Sequence, residues 1–138
     1  MAEATAPFRV QPRLDDGSRH FWTGGERGEL VFLRCGSCGF YIHPPTPLCP
    51  ECLSREVAPA VVSGRATVAS VTVNEQAWNP TMPPPYAIAL VEIDEQPSIR
   101  LMTNIVGCEP YAVTIGMPVR AVFEQHGEVW IPLFEPVP

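Results

Sequence analysis

Apolar and polar positions alternate through the second half of the chain, a period that suits strands rather than helices. Val61-Val62-Ser63-Gly64-Arg65-Ala66-Thr67-Val68-Ala69-Ser70-Val71-Thr72-Val73 is β-branched and alternating, and predicts one strongly bent strand with Gly64 at a bulge or coil. Tyr86–Ile93 and Ile99–Ile105 predict two more strands across a turn at Asp94–Pro97. Val119–Phe123 and Val129–Phe134 predict a closing hairpin over Gln125–Glu128. Between the third and fourth of these strands, Val106–Thr114 is irregular. Upstream, Glu29–Arg34 reads as a further strand, and no segment carries a good amphipathic helix pattern.

Five strands, the first long enough to serve two sheets, and an irregular crossing before the last hairpin meet the needs of a small Greek-key barrel of the OB type. The fold class is therefore mainly β. An SH3-like barrel or an open sandwich has the same periodicity and stays open as an alternative. Ahead of the strands, residues 1–13 read as a mobile or loosely docked tail. Asp15, Asp16 and Ser18 offer N-caps for a short helical lead-in through His20-Phe21-Trp22, which Gly24-Gly25 stops. Such a short helix is marginal alone and needs packing of Phe21 and Trp22, either as a plug in the core or as the lip of a groove. The chain thus divides into a tail and lead-in (1–29), a metal module (30–59) and a barrel (60–138).

The metal module rests on Cys35-Gly-Ser-Cys38 and Cys49-Pro-Glu-Cys52, two Cys-x-x-Cys turns ten residues apart. Each turn presents two thiolates, and two such turns face to face supply the four soft ligands of a tetrahedral Zn²⁺, as in a zinc ribbon. Four thiolates close the coordination shell, so the zinc is expected to be structural. The loop between the turns carries Phe40, Tyr41, Ile42 and His43 and then the elbow Pro44-Pro45-Thr46-Pro47. His43 is expected to be a bystander to the metal. Cys108 has no nearby partner and suits a small apolar filler.

Charge narrows the partners. All nine basic residues are arginine and face fifteen acids, for a net charge of −6, which disfavours a phosphate-backbone binder. A single-stranded nucleic-acid module remains the alternative from another class, because OB barrels and zinc ribbons both serve in that role. The chain opens without a cationic, apolar leader, and no apolar run approaches the roughly 20 residues of a membrane span. The expectation is a cytoplasmic protein with no membrane contact. The three histidines lie in unrelated segments and no nucleophile–base pair is legible, so no catalytic residue is expected.

Phe21-Trp22, Gly28-Glu29-Leu30, the two cysteine turns, the Pro44-Pro45 elbow, Ser63-Gly64-Arg65-Ala66-Thr67-Val68 and the hairpin from Tyr86 together resemble the DUF35 family, OB-fold proteins with a rubredoxin-like zinc ribbon. The resemblance runs from about His20 to the C-terminus. This chain departs from it in having Glu56-Val57-Ala58-Pro59 where an aromatic is common and Ala66 where glycine is common. The resemblance implies a non-catalytic accessory subunit that docks on a thiolase-superfamily enzyme as a hetero-oligomer and helps bind or present an acyl-CoA thioester. The partner it implies first is a lipid-transfer-protein-like aldolase that shortens steroid side chains by retro-aldol cleavage, and otherwise a thiolase or acyltransferase. Arg19, Phe21, Trp22, Arg27, Arg34, Pro44 and Pro45 are the expected ligand or partner surface.

Overall fold

The computed structural model describes residues 6–138. Its architecture follows from a break at Ser63-Gly64 that alternation alone does not reveal. Strand β1 (Leu30–Cys35) pairs antiparallel with β2 (Tyr41–Ile42) on one side and β3 (Val57–Val62) on the other, from Leu30↔Val62 to Cys35↔Val57. Val61 and Val62 therefore belong to the ribbon sheet and not to the first barrel strand. Gly64, at φ +80°, turns the chain out of that sheet, a backbone state that side chains resist. Its carbonyl accepts from the Ala121 N–H at 2.8 Å, which ties the turn to the barrel wall. The bulge expected at Gly64 lies instead between Val68 and Ser70.

The barrel comprises β4 (Arg65–Asn74), β5 (Tyr86–Ile93), β6 (Gln96–Ile105), β7 (Pro118–His126) and β8 (Val129–Pro136). They close in the order β4-β5-β6-β8-β7, with β4 returning to β7 at Arg65↔Arg120. This order is the OB-type Greek key, and the SH3-like and open-sandwich alternatives fall away. The irregular crossing between β6 and β7 holds a 3₁₀ turn at Pro110–Ala112. The last hairpin is tighter than expected, pairing as far as His126↔Val129 around Gly127. Burial alternates residue by residue along β5, with Ala87, Ala89, Val91 and Ile93 inside, as a strand with one face in a core requires.

The lead-in and the root of the ribbon share the barrel's core. Phe21, Leu30 and Phe32 join Val68, Val91, Ile105, Val119 and Phe134 in one buried cluster, so Phe21 is a plug. Helix α1 (Arg19–Thr23) has no side-chain cap at Ser18; the Asp15 carboxylate accepts the Ser18 N–H at 2.9 Å instead. The glycine pair does not stop the chain, which continues as a 3₁₀ turn over Gly24–Arg27. Gly25 is needed because a Cβ there would lie 2.5 Å from Trp130 Cβ and 2.6 Å from the Phe123 ring. Of the expected tail, residues 1–5 lie outside the described residues; within 6–13, Asn79 donates to the Phe8 carbonyl, and Arg9 reaches both Glu124 (2.6 Å) and Asn104 (2.9 Å). Burial raises the Glu124 carboxyl, but hydrogen bonds from His126 and Arg9 outweigh it and hold the group below the usual carboxylate range.

His43 packs between Phe21 (ring centroids 4.8 Å apart) and Phe32 (5.1 Å), away from the cysteines, with Nδ1 buried and unbonded. Burial, with a smaller push from His20, lowers its pKa from 6.5. The unfolded chain then binds more protons than the fold at mildly acidic pH, so this stability is fully present above pH 6.5 and is lost as pH falls through the folded value. Thermal melts between pH 7 and 5 are expected to show Tm falling in the wild type and falling less in His43→Phe. Equal slopes for the two proteins would show that His43 is not the source.

Candidate metal centre and groove

Local chain geometry builds the cysteine cluster. Cys35 ends β1, and Gly39, at φ +81°, lets the chain turn back so that the Gly39 N–H reaches the Cys35 carbonyl at 3.0 Å. Leu53, at φ +64°, does the equivalent in the second turn, where its N–H reaches the Cys49 carbonyl at 2.9 Å. The four Sγ atoms lie within 4.8 Å of one another, with Cys35–Cys52 at 3.5 Å and Cys38–Cys49 at 3.6 Å. A tetrahedron of Zn–S bonds of about 2.3 Å has sulfurs about 3.8 Å apart, so the cluster fits such an ion. Cys35 and Cys49 are buried with Ile42 in a small core of their own, while Cys38 and Cys52 face solvent.

Electrostatics inside the cluster call for a cation. The Cys38 backbone N–H, helped by that of Ser37, lowers the Cys35 thiol to about 6. At Cys38 the Phe40 N–H favours the thiolate, yet desolvation by its neighbours and the adjoining Cys49, Cys52 and Cys35 thiols outweigh it and push the group, though it faces solvent, up to about 12. One thiolate forms readily and makes the next costly. A divalent ion removes that repulsion and draws off the remaining protons. Cys108 lies outside this cluster, half-buried against the barrel core.

The other expected site residues divide. Phe21, Trp22, Pro44 and Pro45 come together as one wall of a groove of about 420 Å³. The barrel supplies the opposite wall through Arg100, Leu101, Met102, Ile131 and Pro132, which no local signal linked to the lead-in. Arg27 instead pairs with Glu29 at 3.1 Å. Arg34 donates to the Gly39 carbonyl at 3.0 Å and stacks over Tyr41 at 4.7 Å, bracing the first cysteine turn. Arg19 is exposed beside His20 and Pro45 on a neighbouring surface.

A cluster of four cysteines mounted on a short sheet, locked through a shared core to a closed five-strand barrel, defines a zinc-ribbon/OB-fold protein. The ChsH2 rubredoxin-like zinc ribbon model matches residues 22–58, and the ChsH2 C-terminal OB-fold model matches residues 60–124. The chain belongs to the DUF35 family. A DUF35 domain-containing scaffold protein of Methanocaldococcus jannaschii is 35% identical over 75% of this chain and 73% of its own length. A probable enoyl-CoA hydratase alpha subunit of Thermomonospora curvata is 34% identical over 94% of this chain. The 3-oxo-4,17-pregnadiene-20-carboxyl-CoA hydratase alpha subunit of Mycobacterium tuberculosis is 35% identical over 83% of it. This chain spans only 40% and 36% of those two subunits. Among solved structures, a chain of the Ltp2-ChsH2(DUF35) aldolase superposes with a TM-score of 0.81 at 33% identity, over 91% of this chain and 98% of that one. No helix among the described residues is long and apolar enough to cross a membrane.

Proposed function

We propose that this chain is a non-catalytic accessory subunit that docks on a thiolase-superfamily enzyme and helps bind or present an acyl-CoA thioester. The observation that carries the reading is the likeness to the DUF35 chain of an aldolase complex over nearly the whole of both chains. The relatives named as CoA-ester hydratase subunits, one acting on a steroid side chain, favour a retro-aldol complex of steroid side-chain degradation over a thiolase or acyltransferase complex. Cys35, Cys38, Cys49 and Cys52 hold structural zinc, whose closed thiolate shell leaves no position for substrate. The groove lined by Trp22, Pro44 and Pro45 over the buried Phe21, with neighbouring exposed Arg19, is the partner side of the molecule; Arg27 and Arg34 serve it by bracing the lead-in and the first cysteine turn. Chemistry then belongs to the enzyme across the interface, and this chain supplies shape and order.

Co-expression with thiolase-fold enzymes of the same genome tests the reading. A stable complex on size exclusion is expected, with C–C cleavage of a β-hydroxyacyl-CoA that neither chain performs alone. A complex that consumes free CoA and yields a short acyl-CoA and a shortened acyl-CoA only from β-ketoacyl-CoA would favour the thiolase alternative. Salt-sensitive micromolar binding of single-stranded oligonucleotides, with no enzyme complex, would replace the accessory reading altogether.

A further inference from the structure

One seam of the closed barrel is held at a single point. Strands β6 and β8 meet at a single register position, Ile105↔Phe134, supported by Val106 N–H to the Phe134 carbonyl at 2.8 Å. Before that point β6 pairs with β5 and β8 pairs with β7, each on one side. The cause is in the sequence. Within a strand, the N–H and C=O of one residue point the same way, and successive residues alternate. The Pro132 carbonyl accepts the Thr103 hydroxyl at 3.2 Å and so faces β6, and proline has no N–H to offer on that side. The zipper stops there.

The same alternation identifies the free groups on β6. Val106 faces β8, so counting back by twos turns the backbone groups of Met102 and Arg100 toward the seam. Those of Leu101 and Thr103 bond β5. Among the described residues no strand covers Met102 or Arg100 on that side. Both line the groove whose other walls are Phe21, Trp22, Pro44, Pro45, Ile131 and Pro132. Met102 is 75% exposed there.

We propose that this seam is a docking slot for an extended segment of a partner protein, which adds as a strand along β6 and seats an apolar side chain between Trp22, Pro45, Met102 and Ile131. A row of backbone donors and acceptors at strand spacing is matched by another backbone, the basis of recognition by β-strand addition. An acyl chain matches the apolar walls but leaves those groups unpaired. The walls are preorganised by proline and aromatic rings, which limits the ordering cost of binding, and Met102 is the adaptable member. This goes beyond the accessory-subunit reading and rests on it only in the choice of enzyme used below.

Amide exchange followed by NMR on the zinc-loaded chain tests the seam directly. In the free chain the Arg100 and Met102 amides are expected to exchange at least tenfold faster than those of Leu101 and Thr103; equal protection overturns the edge. Labelled nine-residue peptides alternating Val or Leu with Thr are then expected to bind and to slow exchange at Arg100 and Met102 tenfold or more. Met102→Glu is expected to weaken that binding at least tenfold, and Ile115→Glu, exposed but off the groove, to leave it unchanged; equal effects overturn the slot. The co-expressed thiolase-fold enzyme is the second probe. If it binds while both amides stay fast, the seam proposal falls and the accessory reading stands. If peptides protect the amides but no such enzyme binds, the accessory reading falls and the slot stands. If octanoyl-CoA shifts the groove resonances while neither peptide nor enzyme slows these amides, the groove takes a small ligand and the proposal is wrong.

Discussion

Cys35→Ser and Cys49→Ser are each expected to abolish stoichiometric zinc binding and to unfold the ribbon. The loss is large because apparent binding of structural zinc is worth on the order of 10 kcal/mol and is coupled to folding of the residues that hold it. Both thiols are buried beside Ile42, and a serine hydroxyl there loses the metal–sulfur bond, which the Ser37 and Cys38 N–H groups beside position 35 do not replace. Damage would spread along β1, which carries Cys35 at one end and Leu30 and Phe32 of the barrel core at the other. The checks are metal content by mass spectrometry, thermal melting, and co-elution with the enzyme partner. Variants that kept one zinc per chain and an unchanged Tm would refute the ligand assignment. Visible charge-transfer absorption in aerobically purified protein would show that the resident ion is iron.

Phe32→Ala is expected to cost about 3–5 kcal/mol, the range for removing a fully buried phenylalanine and leaving a cavity. Against a total stability of roughly 5–15 kcal/mol this is a large share. Phe32 is completely buried and joins three parts of the molecule: its ring meets Phe21 of the lead-in at 5.8 Å and His43 of the elbow at 5.1 Å, and it lies in the barrel's own cluster. Urea unfolding measures the loss. Phe134→Ala, equally buried but on β8, provides the comparison. The two are expected to lose similar stability, but at temperatures where both stay folded Phe32→Ala alone should weaken partner binding, because it loosens Phe21, Trp22 and the Pro44-Pro45 elbow together. Equal binding by both variants would mean that this surface does not depend on the Phe32 joint.

Much of the fold and of the metal centre is legible in the residues themselves, for local reasons. Cys-x-x-Cys spacing forces two sulfurs onto one turn, and alternation over Tyr86–Ile93 leaves one face of a strand for a core, so the ribbon and most strands follow from short-range chemistry. Expectations miss where distant segments decide. The stretch Val61–Val73 alternates without interruption, yet Val61 and Val62 pair with β1, thirty residues upstream, and Gly64 marks a change of sheet. Gly24-Gly25 looks like a helix stop, but the small size of Gly25 answers Trp130 and Phe123, about a hundred residues away.

By itself, then, the sequence determined the cluster of four cysteines, the β class of the barrel and the family likeness, because each depends on residue types at short, fixed spacing. Only the tertiary structure decided that lead-in, ribbon and barrel share one core, that the proline elbow and Trp22 face β6 and β8, and that β6 and β8 pair at a single position beside Pro132. Those features arise from contacts between segments far apart in the chain, where burial and backbone pairing are settled by which surfaces meet.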